Sequence, residues 1–204
     1  MSARAPSCPG RNAVAADGPR AIPCGMPDTP IVEPVEVLNP AFIAGEREML
    51  QAWLDYHRSV LLDHCAGLDG EQLATASCPP SGLSLLGLVR HMAEVEQNWF
   101  RRNWQGPLPD IYCTEESPDG DFDLVDPRQA AQDVQRYRDE VAAARAEAAK
   151  HELDDTMGYP PRTAGRPERV VSLRWVYVHM IEEYAQHNGH ADLLRERIDG
   201  VTYS

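Results

Sequence analysis

After Pro40, apolar residues recur at three- and four-residue steps, and that period predicts four long helices. The first runs from about Gly45 to Gly67, with Leu50, Trp53, Leu54, Val60, Leu61 and Leu68 on its stripe and Gly67 as its stop. The second opens at Ser84, a good N-cap, and continues through LLGLVRHMAEVEQNWFRRNW with Leu85, Leu88, Met92, Val95 and Trp99 facing inward. The third opens on Asp126-Pro127, a cap followed by proline at the first helical position, and its alanines and i,i+4 charge pairs favour helix. The fourth is capped near Ser172 and ends at Gly200. A loop rich in Pro, Asp and Gly joins the second and third, and LDDTMGYPPRTAGRPERV joins the third and fourth. No strand pattern or internal repeat stands out. The expectation is all-α: a four-helix bundle over residues 39–204. Residues 1–38, rich in proline, glycine and small polar residues, are predicted to be a disordered tail that adds nothing to stability. Met26, opening MPDTPIVEPVE, is a second candidate start.

Polar residues interrupt the fourth stripe. At about 100° per residue, Val176, Met180, Leu194 and Ile198 lie within about 20° of His187, with Leu173 and Ala191 within about 40°. Glu183 lies about 40° away on the same face. Burying an unpaired carboxylate there costs several kcal/mol, so Glu183 needs a partner or a cation. Glu183 and His187 are spaced i,i+4, which sets their side chains side by side. On the second helix His91 sits on the inner stripe between Leu88 and Val95, and would complete a two-histidine, one-carboxylate metal site with an open position. A core histidine satisfied by a hydrogen bond, or a buried Glu–His pair, fits the same periodicity. His57 and His64 on the first helix, and His179 and His190 at the edge of the fourth stripe, also remain candidates as ligands or as supports for ligands.

Composition narrows the classes. A net charge of -13 opposes nucleic acid and anionic membrane surfaces, which need clustered positive charge. The five cysteines are odd in number and contain no C-x-x-C pair, so neither a disulfide framework nor a thiolate zinc site is expected, and a reducing cytoplasm is the natural compartment. No apolar run reaches the length of a membrane span, and no signal-peptide core is present. The acidic run EESPDGDFD at 115–123 lacks the spacing of a calcium loop and reads as solvated.

The segments SGLSLLGLVRHMAEVEQNWFRR and VHMIEEYAQHNGHADLLRERIDG, with EREMLQAWLDYHRSVLLDHCAGLDGEQL before them, resemble the DinB-like superfamily and within it the mini-circle-protein branch. The resemblance covers residues from about 40 to 200. It implies a four-helix bundle with a divalent ion held from the second and fourth helices. Many members carry H…H-x-x-x-H; here Glu183 stands where the first histidine of the pair would be. That substitution is similar to the mycothiol-dependent maleylpyruvate isomerase group, in which two histidines and a glutamate bind zinc. The resemblance therefore implies zinc at His91, Glu183 and His187, a low-molecular-weight thiol cofactor, an electrophilic substrate, and transferase or isomerase chemistry. Arg90, Arg174 and Arg195 would then be candidates to grip a carboxylate of the thiol or substrate, with Arg90 and Arg174 preferred. Cys113 is read as a bystander thiol, and Trp99, Trp104 and Trp175 as core or interface residues. A non-catalytic metal-stapled bundle, a hydrolase and a non-haem iron protein remain the alternatives, and a homodimer is the assembly left open.

Overall fold

The computed structural model describes residues 30–159 and 169–203. Four long helices carry it, as the periodicity predicts. Helix α1 is Glu46–Cys65. Helix α2 is Leu85–Glu96, continued by a π-helical turn, Gln97–Arg102, and a last turn, Asn103–Gln105. Helix α3 is Ala130–Ala148, entered through a 3-10 turn, and α4 is Leu173–Asp199. The caps are the ones the sequence signals: Ser84, Asp126 and Ser172 accept backbone N–H groups of Gly87, Arg128 and Trp175. Gly200 ends α4 at φ 79°, a conformation that favours glycine.

Helix α1 packs mainly on α4, and α2 mainly on α3. Between them lies a core of Leu54, Leu61, Leu88, Met92, Phe100, Val134, Val176 and Met180, with Tyr137 and Tyr184 fully enclosed. The centre is not wholly apolar. Arg58 of α1 meets Glu96 of α2 with two hydrogen bonds of 2.7 Å, and the hydroxyl of Tyr184 of α4 donates to the same carboxylate at 2.7 Å. The hydroxyl of Tyr137 of α3 lies 3.0 Å from that of Tyr184. One side chain from each long helix thus joins a single buried network.

Three expectations need correction. The connection into α4 contains a hairpin, β1 Thr156–Tyr159 antiparallel to β2 Arg169–Ser172, with Met157 buried beneath it. Its residues do not alternate cleanly, which hides it from a period-two search. A short helix at Gly120–Asp123 lies in the segment read as loop, and another at Gly70–Ala74 fills the unassigned stretch between the first two long helices. Finally, the expected tail does not extend to residue 38. Val32 is 0% exposed and bridges Ala66, Ile31 donates to the carbonyl of Leu68, and the Leu38 N–H donates to Ser59. The part of the predicted tail at 1–29, and the Pro160–Pro167 part of the last connection, lie outside the described residues.

Deleting residues 30–38 is therefore expected to lower the thermal midpoint, and Val32→Ala alone to cost about 2 kcal/mol of lost burial and cavity. Thermal and urea unfolding of both variants measure this; an unchanged midpoint for the deletion would show that the strap does not pack in solution.

Candidate metal centre

His91 lies two turns beyond the Ser84 cap of α2, and Glu183 and His187 lie one turn apart on α4. The two helices run antiparallel here, so the three side chains converge: their ligand atoms all fall within 4.8 Å of one another. Glu183 Oε1 is 3.4 Å from Nε2 of His91 and 3.4 Å from Nε2 of His187. A charge-assisted hydrogen bond would be shorter, about 2.7–2.9 Å. Two donors on a tetrahedral ion at about 2.1 Å would be about 3.4 Å apart, so the spacing suits a shared ion as well as long hydrogen bonds. The side chains are 21, 22 and 13% exposed, which leaves the point of convergence reachable from solvent.

Both imidazoles are held from behind. Nδ1 of His91 lies 2.7 Å from Asp121 Oδ2, and Nδ1 of His187 lies 3.4 Å from Nδ1 of His190. These contacts turn each Nε2 toward Glu183, as the second nitrogen of a ligating histidine is usually turned by its partner. Phe122 stacks on His91 with ring centroids 5.0 Å apart.

Asp121 corrects the reading of the acidic run as solvated loop. It is 4% exposed, and the loop that carries it is fastened to α2 on either side of His91. Arg90 donates to the carbonyls of Gly120 and Asp121 and to Asp133, with its guanidinium 3.9 Å from the Tyr112 ring centroid. Glu94 Oε1 accepts the N–H groups of Ile111, Tyr112 and Cys113. A β-carbon on Gly120 would sit 2.4 Å from the Tyr112 carbonyl oxygen, so only glycine lets the loop close so tightly. No periodic signal announces Asp121.

The other candidates separate clearly. Arg90 is buried and its donors are used by the loop, and Arg174 is tied to Glu46 and Asp154 at the α4 entrance. Neither is free to grip a carboxylate at the centre. Arg195 caps carbonyls of His64 and Ala66 and pairs with Asp199. His64 lies between Val60 and Asp192, and His57 contacts Asn188. The Cys113 thiol bonds to Asp121, and burial pushes it up to about 11, so it is no ready nucleophile. A second group, His179, Glu182 and Glu183, also falls within 4.8 Å. There His179 turns different nitrogens to the two carboxylates, at 3.4 and 3.9 Å, and converges on no single point.

One family model matches residues 49–200, that of Mycothiol-S-transferase. The chain belongs to this family. The match begins within α1 and ends at the Gly200 cap, so it spans all three converging residues. No curated protein matches the chain. Among the described residues no helix is long and apolar enough to cross a membrane.

The electrostatics of the cluster in this family member follow from its hydrogen bonds. Burial disfavours the His91 cation, but hydrogen bonds to Asp121 and Glu183 outweigh it and raise its pKa to about 9. Hydrogen bonds from His187 and His91 hold the Glu183 carboxyl well below the usual carboxylate range. A raised histidine pKa stabilises the fold fully below the unfolded value of about 6.5, and that contribution disappears as pH rises through about 9. Chelator-treated protein is thus expected to lose thermal stability between pH 6.5 and 9, and His91→Gln to lack that slope. Melting curves across this range decide it; parallel profiles for the two proteins would refute the assignment.

Proposed function

We propose that the chain is a divalent-metal-dependent S-transferase. Its ion, zinc by the donor set, is held by His91, Glu183 and His187, and its co-substrates are a low-molecular-weight thiol of the mycothiol type and a small electrophile, in the cytoplasm. The observation that carries the reading is the 3.4 Å spacing of Glu183 Oε1 from both imidazole nitrogens. Family membership supplies the thiol and the transfer. When bound, such an ion lowers the pKa of a thiol at its open position, so that a thiolate nucleophile exists at neutral pH.

The protein groups orient and balance. Asp121 takes the Nδ1–H of His91 and keeps its Nε2 lone pair directed at the centre. Glu183 stays ionised, which its hydrogen bonds already favour. His57, one histidine that could close the site as a fourth ligand, contacts Asn188. That placement supports an exchangeable position rather than a closed structural one. Water in the same position would give hydrolysis, the second reading, and the competition between thiol and water is what an experiment must decide.

Protein purified without a histidine tag is expected to carry one ion per chain. His187→Ala should abolish stoichiometric metal and His190→Ala should retain it; full occupancy in the His187 variant would overturn the ligand set. Asp121→Ala should weaken metal by about 10- to 100-fold in chelator competition, and an unchanged affinity would remove its orienting role.

Cobalt substitution tests the chemistry. Mycothiol titrated into the cobalt protein is expected to raise a saturable near-ultraviolet thiolate charge-transfer band, because thiolate is a softer ligand than water. If no thiol perturbs the spectrum at millimolar concentration, the transferase reading fails and hydrolysis takes its place.

A further inference from the structure

Beyond the triad, where α2 faces α4, three rings form a cluster. Trp175 stacks on His179 with centroids 5.0 Å apart and planes at 17°, and Trp99 meets the edge of His179 at 4.5 Å. Trp99 and Trp175 are themselves 5.3 Å apart. The stack adjoins the metal centre, since Nε2 of His179 lies 3.9 Å from Glu183 Oε2. Trp175 precedes Glu183 by eight residues, about 12 Å along the helix. Trp99 is nearly buried, but Trp175 stays 45% exposed and the Glu182 side chain beside His179 is 64% exposed. A large aromatic ring fixed by stacking, left partly open, and bordered by a carboxylate is more than a core residue.

We infer that this shelf binds the body of the thiol co-substrate: an uncharged, polyhydroxylated ring whose C–H face lies on Trp175 and whose hydroxyls donate to Glu182. The inference rests on the S-transferase reading of the adjoining triad. Three features favour this ligand class. The electron-rich face of an indole attracts the weakly positive C–H edge of a saturated ring. Glu182 accepts hydroxyl protons and repels carboxylates. Arg90 beside His91, Arg174 beside Trp175 and Arg101 near Trp99 are committed to the 120–121 loop carbonyls, to Glu46 and Asp154, and to Glu140. A thiol bearing carboxylates, such as glutathione, therefore gains no countercharge from these arginines. The sulfur reaches the metal position while the ring body extends toward the start of α4.

The test uses the full-length cobalt protein and three thiols: mycothiol, glutathione and N-acetylcysteine, each titrated to saturation of the thiolate band. Trp175→Ala is expected to raise the mycothiol midpoint by about five- to tenfold, one stacked contact, and to leave the N-acetylcysteine midpoint unchanged. Trp175→Phe, which keeps a smaller face, should fall between. Glu182→Gln should narrow the preference for mycothiol over glutathione. Equal shifts for mycothiol and N-acetylcysteine, or no shift for either, overturn the shelf while leaving the thiol-binding triad intact. Absence of any band in the unmodified protein overturns the triad reading and the shelf with it. Should the alanine variant fail to fold, Trp175→Leu preserves apolar contact on His179 without offering a flat face, and the same ratio is read from it.

Discussion

Glu96 has no exposed surface, and its charge is the constraint around which the bundle is arranged. A carboxylate at that depth is tolerable only with excellent geometry, and removing one partner of such a pair typically costs about 3–5 kcal/mol. The paired contacts of Arg58 and the hydroxyl of Tyr184 meet that requirement, with Tyr137 behind. Burial pushes the Tyr184 phenol well above its ordinary value, so it remains protonated and able to donate. Apolar stripes alone allow helices to slide or rotate by a residue. A network with one member on each helix satisfies its hydrogen bonds in a single register, which is the specificity that buried polar groups supply in some folds.

That register also brings His91, Glu183 and His187 together. Tyr184 is the neighbour of Glu183, so the bond from Tyr184 to Glu96 fixes the height and rotation of α4 against α2 close to where Glu183 must meet His91. The π-helical turn begins directly after Glu96. Its wider winding lets consecutive Trp99 and Phe100 both turn inward, Phe100 against Tyr177 and Trp99 against His179 and Trp175. The keystone, the triad and the aromatic shelf are thus successive levels of one α2–α4 interface.

Much of this was legible in the sequence because it is local and periodic. A cap needs one residue type at one position, which Ser84, Asp126, Ser172 and Gly200 supply. Glu183 and His187 stood out because a helical wheel converts spacing into facing, and His91 because its neighbours Leu88 and Val95 are apolar. What escaped depends on contacts between distant segments. Val32 sits in a proline-rich stretch with no period, yet it is covered by the end of α1. Asp121 lies in an acidic run that composition marks as solvated; only the grip of Arg90 and Glu94 on that loop turns one of its carboxylates inward. For Arg90 and Arg174 sequence gives the helix but not the partners, which are the 120–121 carbonyls and Asp133 for one and Glu46 and Asp154 for the other.

Charge balance explains why the buried acid of the loop belongs to the centre rather than beside it. Glu183 and Asp121 bring two negative charges, and the two imidazoles that join them are neutral when both lone pairs are offered to an ion. A dication then leaves the assembly neutral, so it adds no uncompensated charge to a partly buried site. Without a cation, a proton on His91 between the two carboxylates offsets one of the two negative charges, in keeping with its raised pKa. The same arithmetic bears on the anchoring of the two histidines. Nδ1 of His91 faces a carboxylate and Nδ1 of His187 faces the His190 imidazole, so the firmer anchor lies on the side of the Asp121 loop. The Asp121 contact makes the loop part of this cluster: its fastening by Arg90, Glu94 and Gly120 sets the position of the carboxylate that His91 meets.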